Sequence, residues 1–244
     1  MSGRPAAVRP CKGDAVKRTR IIAFGIVILI SIALVTTRGR WVEPVAERIS
    51  DITSADLALI DNPRTPGEKI VNGAKMEANR EVHYDASYIR ISYPNGDVPA
   101  NQGACTDVLV RALRNAGYDL QKLIHEDMLA NWSSYPHRYG LTRPDANIDH
   151  RRVPNHLAFL RRHGRELPTS TTGNALDTWQ PGDLVYWKLG ELDHCGVISN
   201  ERSTQGLPLV IHNIGPEVCQ ADCLTSWRIV GHFRFPPDDV RPRT

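Results

Sequence analysis

The chain has 244 residues, a length that suits one domain with a short appendage. Its hydrophobic fraction of 41% and charged fraction of 23% are close to globular averages, which excludes collagen-like, coiled-coil, low-complexity and wholly disordered proteins. Residues 1–40 carry eight Lys or Arg and one acid, whereas the remainder carries 22 basic and 26 acidic residues. The main body therefore lacks the clustered cations of a nucleic-acid binder, and no nucleic-acid partner is expected.

The start of the chain is typical of a membrane anchor. Seventeen uncharged residues, 21–37, follow a basic cytoplasmic segment of residues 1–20. As a helix this run is about 26 Å long, near the lower limit for crossing a hydrocarbon core about 30 Å thick. For a bacterial protein, the positive-inside rule then predicts a single-pass inner-membrane protein with a cytoplasmic N-terminus and a periplasmic domain. A cleaved signal peptide is the alternative, which the poor cleavage sequence Val35-Thr36-Thr37 disfavours.

The exported part divides into a linker, one folded domain and a tail. Residues 38–67 contain three prolines among mixed polar residues and predict a linker with at most one short helix, 55–60. The folded domain is expected over residues 68–235. The Pro- and Arg-rich residues 236–244 are expected to form a flexible tail.

Within this domain, helical patterns precede strand patterns. Helices are predicted over 68–79, 105–116, 120–135 and 153–163, with an early strand over 88–93. Short β-rich runs follow at 183–187, 196–199, 209–212 and 229–235. Helices followed by an antiparallel sheet predict an α+β domain, with the N-terminal helices packed on a small antiparallel sheet.

Cys105 begins the most clearly patterned helix, which has Val108, Leu109, Ala112 and Leu113 on one stripe. The unpaired N–H groups and the dipole at that helix end favour an anion and lower the pKa of a thiol from about 8.5. Because the thiolate is the competent nucleophile, Cys105 is a candidate catalytic residue. The alternative is a small buried residue that fills the turn before the helix.

Two histidines follow Cys105 along the chain, in the order expected for a nucleophile, its base and the residue that orients the base. His194 opens a strand that follows the turn Gln180-Pro-Gly-Asp183, and the next strand ends in His212-Asn213. In an antiparallel hairpin His194 and His212 lie on neighbouring strands, close enough for one to orient the other.

These motifs resemble those of known families. Cys-Thr/Ser-x-x-Val at a helix start, Pro-Gly-Asp-Leu-Val before a strand and His-x-Gly-Val/Ile on the next strand are similar to the papain-like NlpC-type and CHAP-type cysteine amidases of bacterial cell walls. More closely, residues 69–235 resemble the YijF-like family of exported bacterial proteins, whose domain is of unknown function. The resemblance rests on Tyr93-Pro-Asn-Gly-Asp-Val98, Gly103-Ala-Cys-Thr-Asp107, His125-Glu-Asp-Met128, Ile148-Asp-His-Arg-Arg-Val-Pro-Asn155 and Val210-Ile-His-Asn-Ile-Gly215.

The resemblance implies a papain-like fold and a role for each residue of the constellation. Cys105 is implied as nucleophile, His194 as general base and His212 as the polar third member, with Asn213 as the alternative third member. Cys195 departs from the pattern, because an apolar residue is commoner after the base. No cofactor is required.

Other side chains are candidates for contacts with the substrate. In papain-like enzymes the oxyanion is met by the N–H of the nucleophile and a nearby donor, for which Tyr93 and Gln102 are candidates. Asp149 with Arg151 and Arg152 predicts a clamp for a substrate carboxylate, since Arg recognises carboxylates bidentately.

The remaining cysteines leave two alternatives open. Cys219 and Cys223 are close enough in sequence for a local disulfide in an oxidising compartment. A zinc site built from these two residues with His212 and His232 fits no familiar spacing and would consume a triad member, so no metal is expected.

The expected function is that of a membrane-anchored periplasmic cysteine hydrolase, an amidase or endopeptidase acting on the peptides of peptidoglycan through a Cys-His-His triad. One alternative is acyl transfer or thioester cleavage on lipids or lipoproteins by the same fold. Another alternative is a noncatalytic wall-binding module, in which Cys105 has only a packing role.

Overall fold

The computed structural model describes residues 56–138 and 140–237. The predicted cytoplasmic segment 1–20, the anchor 21–37 and most of the predicted linker and tail lie outside these residues. Within the described part of the chain, no helix has both the length and the apolar character needed to cross a membrane.

Four α-helices form the first half of the domain: α1 (Pro66–Asn79), α2 (Cys105–Asn115), α3 (Leu120–Ala130) and α4 (Val153–His163). The predicted helices are confirmed, with shifted ends. α1 starts two residues early because Thr65 caps it: the Glu68 N–H donates to the Thr65 hydroxyl, and the Glu68 carboxylate accepts from the Thr65 N–H. α3 ends at Ala130, and three residues of its predicted extension form a 3-10 helix, Trp132–Ser134.

The strands form one main sheet and one small pair: β1 (His83–Tyr84), β2 (Gln102–Gly103), β3 (Arg165–Glu166), β4 (Leu184–Leu189), β5 (Leu192–Arg202), β6 (Pro208–Asn213), β7 (Val218–Ala221) and β8 (Arg228–Arg234). The main sheet is antiparallel, in the order β3-β8-β4-β5-β6-β7. β1 and β2 pair in parallel. The predicted strand 88–93 was wrong: the segment is irregular, and Asn147 holds it by accepting the Ile91 N–H.

The sheet has a different core on each face. Tyr186, Cys195 and Val197 belong to the larger core, which the sheet shares with the four helices. Leu109 and Leu113 of α2 are fully buried there, each contributing about 1.5–3 kcal/mol through removal from water. The opposite face carries a smaller core that includes Trp179, Val185, Trp187 and Leu224. This arrangement confirms the α+β class.

The end of the predicted linker is folded onto α1. Leu57 is 2% exposed, and its N–H and carbonyl bond to the Asn79 side chain. Asn72 makes the same pair of bonds to Ile60, and Lys75 donates to the Ala58 carbonyl at 2.8 Å. Residues 56–60 have no regular secondary structure, so the short helix that the sequence allowed there does not form in them. Folded structure therefore begins before residue 68.

Candidate active site

Cys105 is the first residue of α2, and Asp107 holds the backbone in front of it. The Asp107 carboxylate accepts the Ala104 N–H at 2.6 Å. Arg151 donates to both Asp107 oxygens, with Nε 2.9 Å from Oδ1 and Nη2 2.9 Å from Oδ2. Because first-turn N–H groups have no intrahelical acceptor, the Cys105 N–H lies beside its own sulfur as a donor for negative charge.

The Cys105 thiol contacts two consecutive residues of β5, Cys195 and His194. Hydrogen bonds from the Cys195 thiol and from His194 lower the pKa of Cys105 well below its ordinary value, against the opposing effect of burial. Burial and the adjacent Cys105 sulfur raise the pKa of Cys195 well above its ordinary value. Cys195 therefore remains a thiol donor, and Cys105 is the sulfur that ionises.

His194 and His212 are joined across β5 and β6. The strand register pairs Gly196 with His212, so His194, two residues before Gly196, projects from the same face of the sheet. The His194 Nε2 atom lies 2.8 Å from His212 Nδ1. Since His212 occupies Nε2, the Nδ1 atom of His194 is the ring nitrogen left for Cys105.

His212 is buried and neutral. Burial, together with the neighbouring His194, lowers the pKa of His212 to about 3. Its Nε2 atom lies 3.4 Å from Cys223 Sγ and 3.8 Å from Cys219 Sγ. A neutral ring with its proton on Nε2 faces these sulfurs and accepts at Nδ1 from the His194 Nε2–H. In this assignment the Nδ1 atom of His194 carries a lone pair and is a base for the Cys105 thiol.

Two tryptophans enclose the histidine pair. The Trp187 ring is stacked on His194 with centroids 5.6 Å apart, and the Trp227 ring meets His194 edge-on at 5.8 Å. Both indoles also lie edge-on to His212, at 6.3 and 6.0 Å. The surroundings exclude water from the imidazoles, which strengthens the hydrogen bond between them.

Asn213 links the histidine strand to the segment that enters α2. It is fully buried, and its amide donates to the Gly103 carbonyl at 2.9 Å and the Val82 carbonyl at 3.4 Å. Its own carbonyl accepts the Gly215 N–H. The structure therefore places His212, not Asn213, against His194, and Asn213 fixes the position of Cys105 relative to β6.

The two predicted oxyanion donors have different positions. The Tyr93 hydroxyl donates to Glu126 on α3 at 3.3 Å, and its ring packs edge-on against His125. Tyr93 is therefore engaged outside the Cys105 cluster, which consists of Cys105, His194, Cys195 and His212. Gln102 lies in β2, three residues before Cys105, and is partly exposed.

Tyr84 is a donor candidate that the sequence did not reveal. Tyr84 pairs with Gly103 just before α2, and its N–H donates to the Pro216 carbonyl at 2.8 Å. A side chain at Gly215 would contact the Tyr84 side chain. Burial and the negative charge of Cys105 raise the pKa of Tyr84, so its hydroxyl stays protonated and is a candidate donor. An isolated tyrosine in a two-residue strand carries no recognisable motif.

Residues 71–235 match a family described as a domain of unknown function (DUF1287). The chain belongs to this family. It is also 48% identical over 167 residues to the uncharacterized protein YijF of Escherichia coli (strain K12), a match that covers 68% of this chain and 80% of that protein. The expected membership of the YijF-like family is confirmed. The matched region of the DUF1287 domain runs from α1 to the end of β8 and includes every residue of the Cys105 cluster.

The predicted carboxylate clamp is not formed in the DUF1287 domain. Arg151 is 8% exposed, and its guanidinium binds Asp107 and the backbone carbonyls of Ser87 and Asp85. Asp149 is fully buried, and its Oδ2 atom lies 2.9 Å from His125 Nδ1.

Arg152, the third residue of the predicted clamp, donates to the Arg138 carbonyl at 3.2 Å. Asp149 and Arg151 therefore serve the fold, because both are committed to protein partners. The Asp107–Arg151 ion pair joins residues 44 positions apart and therefore leaves no local signal in the sequence.

Of the four residues weighed for zinc, His212, Cys219 and Cys223 lie together, but His232 is bound elsewhere. The His232 Nε2 atom bonds to Asp183 at 2.9 Å, and its ring stacks on Trp179. Among the described residues no group of three or more His, Cys, Asp or Glu is arranged to hold a metal ion. Cys223 retains its thiol, so it does not form the local disulfide with Cys219.

Proposed function

We propose that this protein is a membrane-anchored periplasmic cysteine hydrolase that cleaves an amide bond in the peptide part of peptidoglycan. The observation that carries the proposal is the contact of an ionisable Cys105 thiol with His194, which His212 orients at 2.8 Å. A nucleophile, a base and a partner that fixes the tautomer of the base are the parts that acyl transfer requires.

In the proposed reaction, His194 takes the Cys105 proton at Nδ1, and the thiolate attacks the amide carbonyl carbon. The resulting oxyanion accepts hydrogen bonds from the Cys105 N–H and the Tyr84 hydroxyl. His194 then gives its proton to the leaving nitrogen, the C–N bond breaks, and a thioester remains on Cys105. A water molecule, deprotonated by His194, cleaves the thioester, releases the carboxylic acid and restores the thiol.

A kinship with the NlpC-type and CHAP-type amidases is part of the proposal. Its support is the order of elements: a cysteine at the start of a helix, packed against an antiparallel sheet whose neighbouring strands carry the two histidines. A fold alone does not determine an activity, so the argument rests on the side-chain contacts. The choice of a cell-wall substrate rests on the predicted anchor at residues 21–37.

The test is incubation of the full chain, in detergent, with purified sacculi. Release of soluble peptide fragments by the unmodified protein, and its loss in Cys105→Ala and His194→Ala, is expected. Mass spectrometry of the trapped Cys105 adduct identifies the acyl group. No fragment release from any wall type, or a fatty acyl adduct in place of a peptide, would reject the cell-wall proposal.

A further inference from the structure

A cavity of about 630 Å³ opens on the helix side of the sheet, between α4, the segment 134–138 and the ends of β4 and β5. Leu157, Ala158 and Val230 contribute apolar surface to it. The volume falls within the range of small-molecule sites. The proposed hydrolysis does not by itself assign an occupant to this space.

The charged lining of the cavity is predominantly cationic. Lys188 and Arg138 share one carboxylate, Asp193, at 2.6 and 3.6 Å. Arg161 adds an exposed guanidinium from α4. Arg162 also lines the cavity but is bound to Asp127 outside it. Three cations thus face one acid, and the Arg138 side chain is 56% exposed, which leaves it able to turn towards a ligand.

The cavity adjoins the candidate catalytic centre. Asp193 directly precedes His194, and Lys188 pairs with Asp193 in the register of β4 and β5. Asp193 and Cys195 project from the same face of β5, about 7 Å apart along the strand. Because the Cys195 thiol contacts Cys105, the strand that lines the cavity at Asp193 also carries the residue beside the sulfur.

We propose that this cavity binds a carboxylate group carried by the peptide substrate, with Arg138 and Arg161 as its main ligands. The inference rests on the proposed function and adds the substrate class: a peptide amide with an anionic side group on an aliphatic body. The guanidinium groups match a carboxylate. The apolar wall accommodates the methylene groups that carry it.

The experiment measures binding to the full-length Cys105→Ala chain in detergent, so no bond is cleaved. Two probes are compared, N-acetyl-L-Ala-γ-D-Glu-L-Lys amide and its γ-D-isoglutamine analogue, which differ only in one carboxylate. The carboxylate peptide is expected to bind about tenfold more tightly. Arg138→Gln and Arg161→Gln should each reduce this preference, and the double variant should abolish it. Arg202→Gln, which removes the same charge at the far end of β5, is the matched control.

Equal binding of the two peptides, no binding of either, or an equal loss in Arg202→Gln would overturn the proposal. Displacement of the carboxylate peptide by inorganic phosphate at lower concentration than by acetate would also overturn it, in favour of a phosphate ligand. Thermal unfolding checks that the exposed arginine variants remain folded. Sacculus digestion by the unmodified chain reports separately on the proposed hydrolysis, so the two failures are distinguishable.

Discussion

The Nε2 atom of His194 lies 2.8 Å from Nδ1 of His212, and this contact determines which nitrogen of each ring carries a proton. His212 is neutral at physiological pH because burial lowers its pKa to about 3. With its proton on Nε2, towards the sulfur of Cys223, it accepts at Nδ1 from His194. The Nδ1 atom of His194 is then directed to Cys105 as a base.

Replacement of His212 tests this orientation. We expect His212→Ala to lower kcat by about 100-fold or more, with a smaller change in KM, because the base loses the acceptor that fixes its tautomer. His212→Asn, which offers an amide oxygen to the His194 Nε2–H, should recover part of the loss. Steady-state kinetics on a soluble wall peptide provides the measurement. Equal rates for the Ala and Asn variants would argue against an orienting role.

The Cys195 thiol should set the ionisation of Cys105. Hydrogen bonding from Cys195 is the largest cause of the lowered pKa of Cys105, so Cys195→Ala should shift the midpoint of Cys105 alkylation to higher pH. Cys195→Ser, which keeps a donor, should shift it less. The rate of iodoacetamide labelling at Cys105, followed by peptide mass spectrometry from pH 4 to 10, gives the midpoint. An unchanged midpoint in Cys195→Ala would show that the Cys195 thiol does not affect the ionisation of Cys105.

The buried His212 should also make stability depend on pH. Its folded pKa of about 3 lies below the unfolded value of about 6.5, so the unfolded chain binds more protons between these values. Stability is therefore retained above about pH 6.5 and lost as pH falls towards 3, by up to about 1.4 kcal/mol per pH unit from this group.

Urea unfolding at several pH values, compared with His212→Asn, isolates the contribution of His212. His150, whose pKa burial also lowers to about 3, should leave a residual slope of the same sign in that variant. Parallel pH profiles for the two proteins would mean that His212 takes up a proton in the folded state as readily as in the unfolded state.

Arg151 should affect stability more than substrate affinity. Arg151→Gln leaves Asp107 buried without its partner, and we expect a loss of about 3–5 kcal/mol in the free energy of unfolding. Arg152→Gln, the neighbouring change, should cost less than about 1 kcal/mol, because that side chain is outside the buried pair. Chemical unfolding of both variants measures the difference. A raised KM with unchanged stability in Arg151→Gln would instead support a role for Arg151 in binding a substrate carboxylate.

The sequence predicted those residues of the candidate site that lie in short local patterns. Cys105 at the start of an amphipathic helix and the histidines at strand ends lie in short patterns, and the structure brings them together. Tyr84, the Asp107–Arg151 ion pair and the anchoring of Leu57 on α1 arise between residues distant in sequence. No periodicity or turn motif encodes such contacts.

By itself, the sequence determined the class of the fold, the helices, the main strands and the family, because helical and strand periodicity and the family segments are read directly along the chain. Only the tertiary structure decided which histidine nitrogen faces which partner, that Cys195 assists Cys105, and that Arg151 supports the helix start. These properties depend on distance, burial and ring orientation, which arise only when separate segments pack and exclude water.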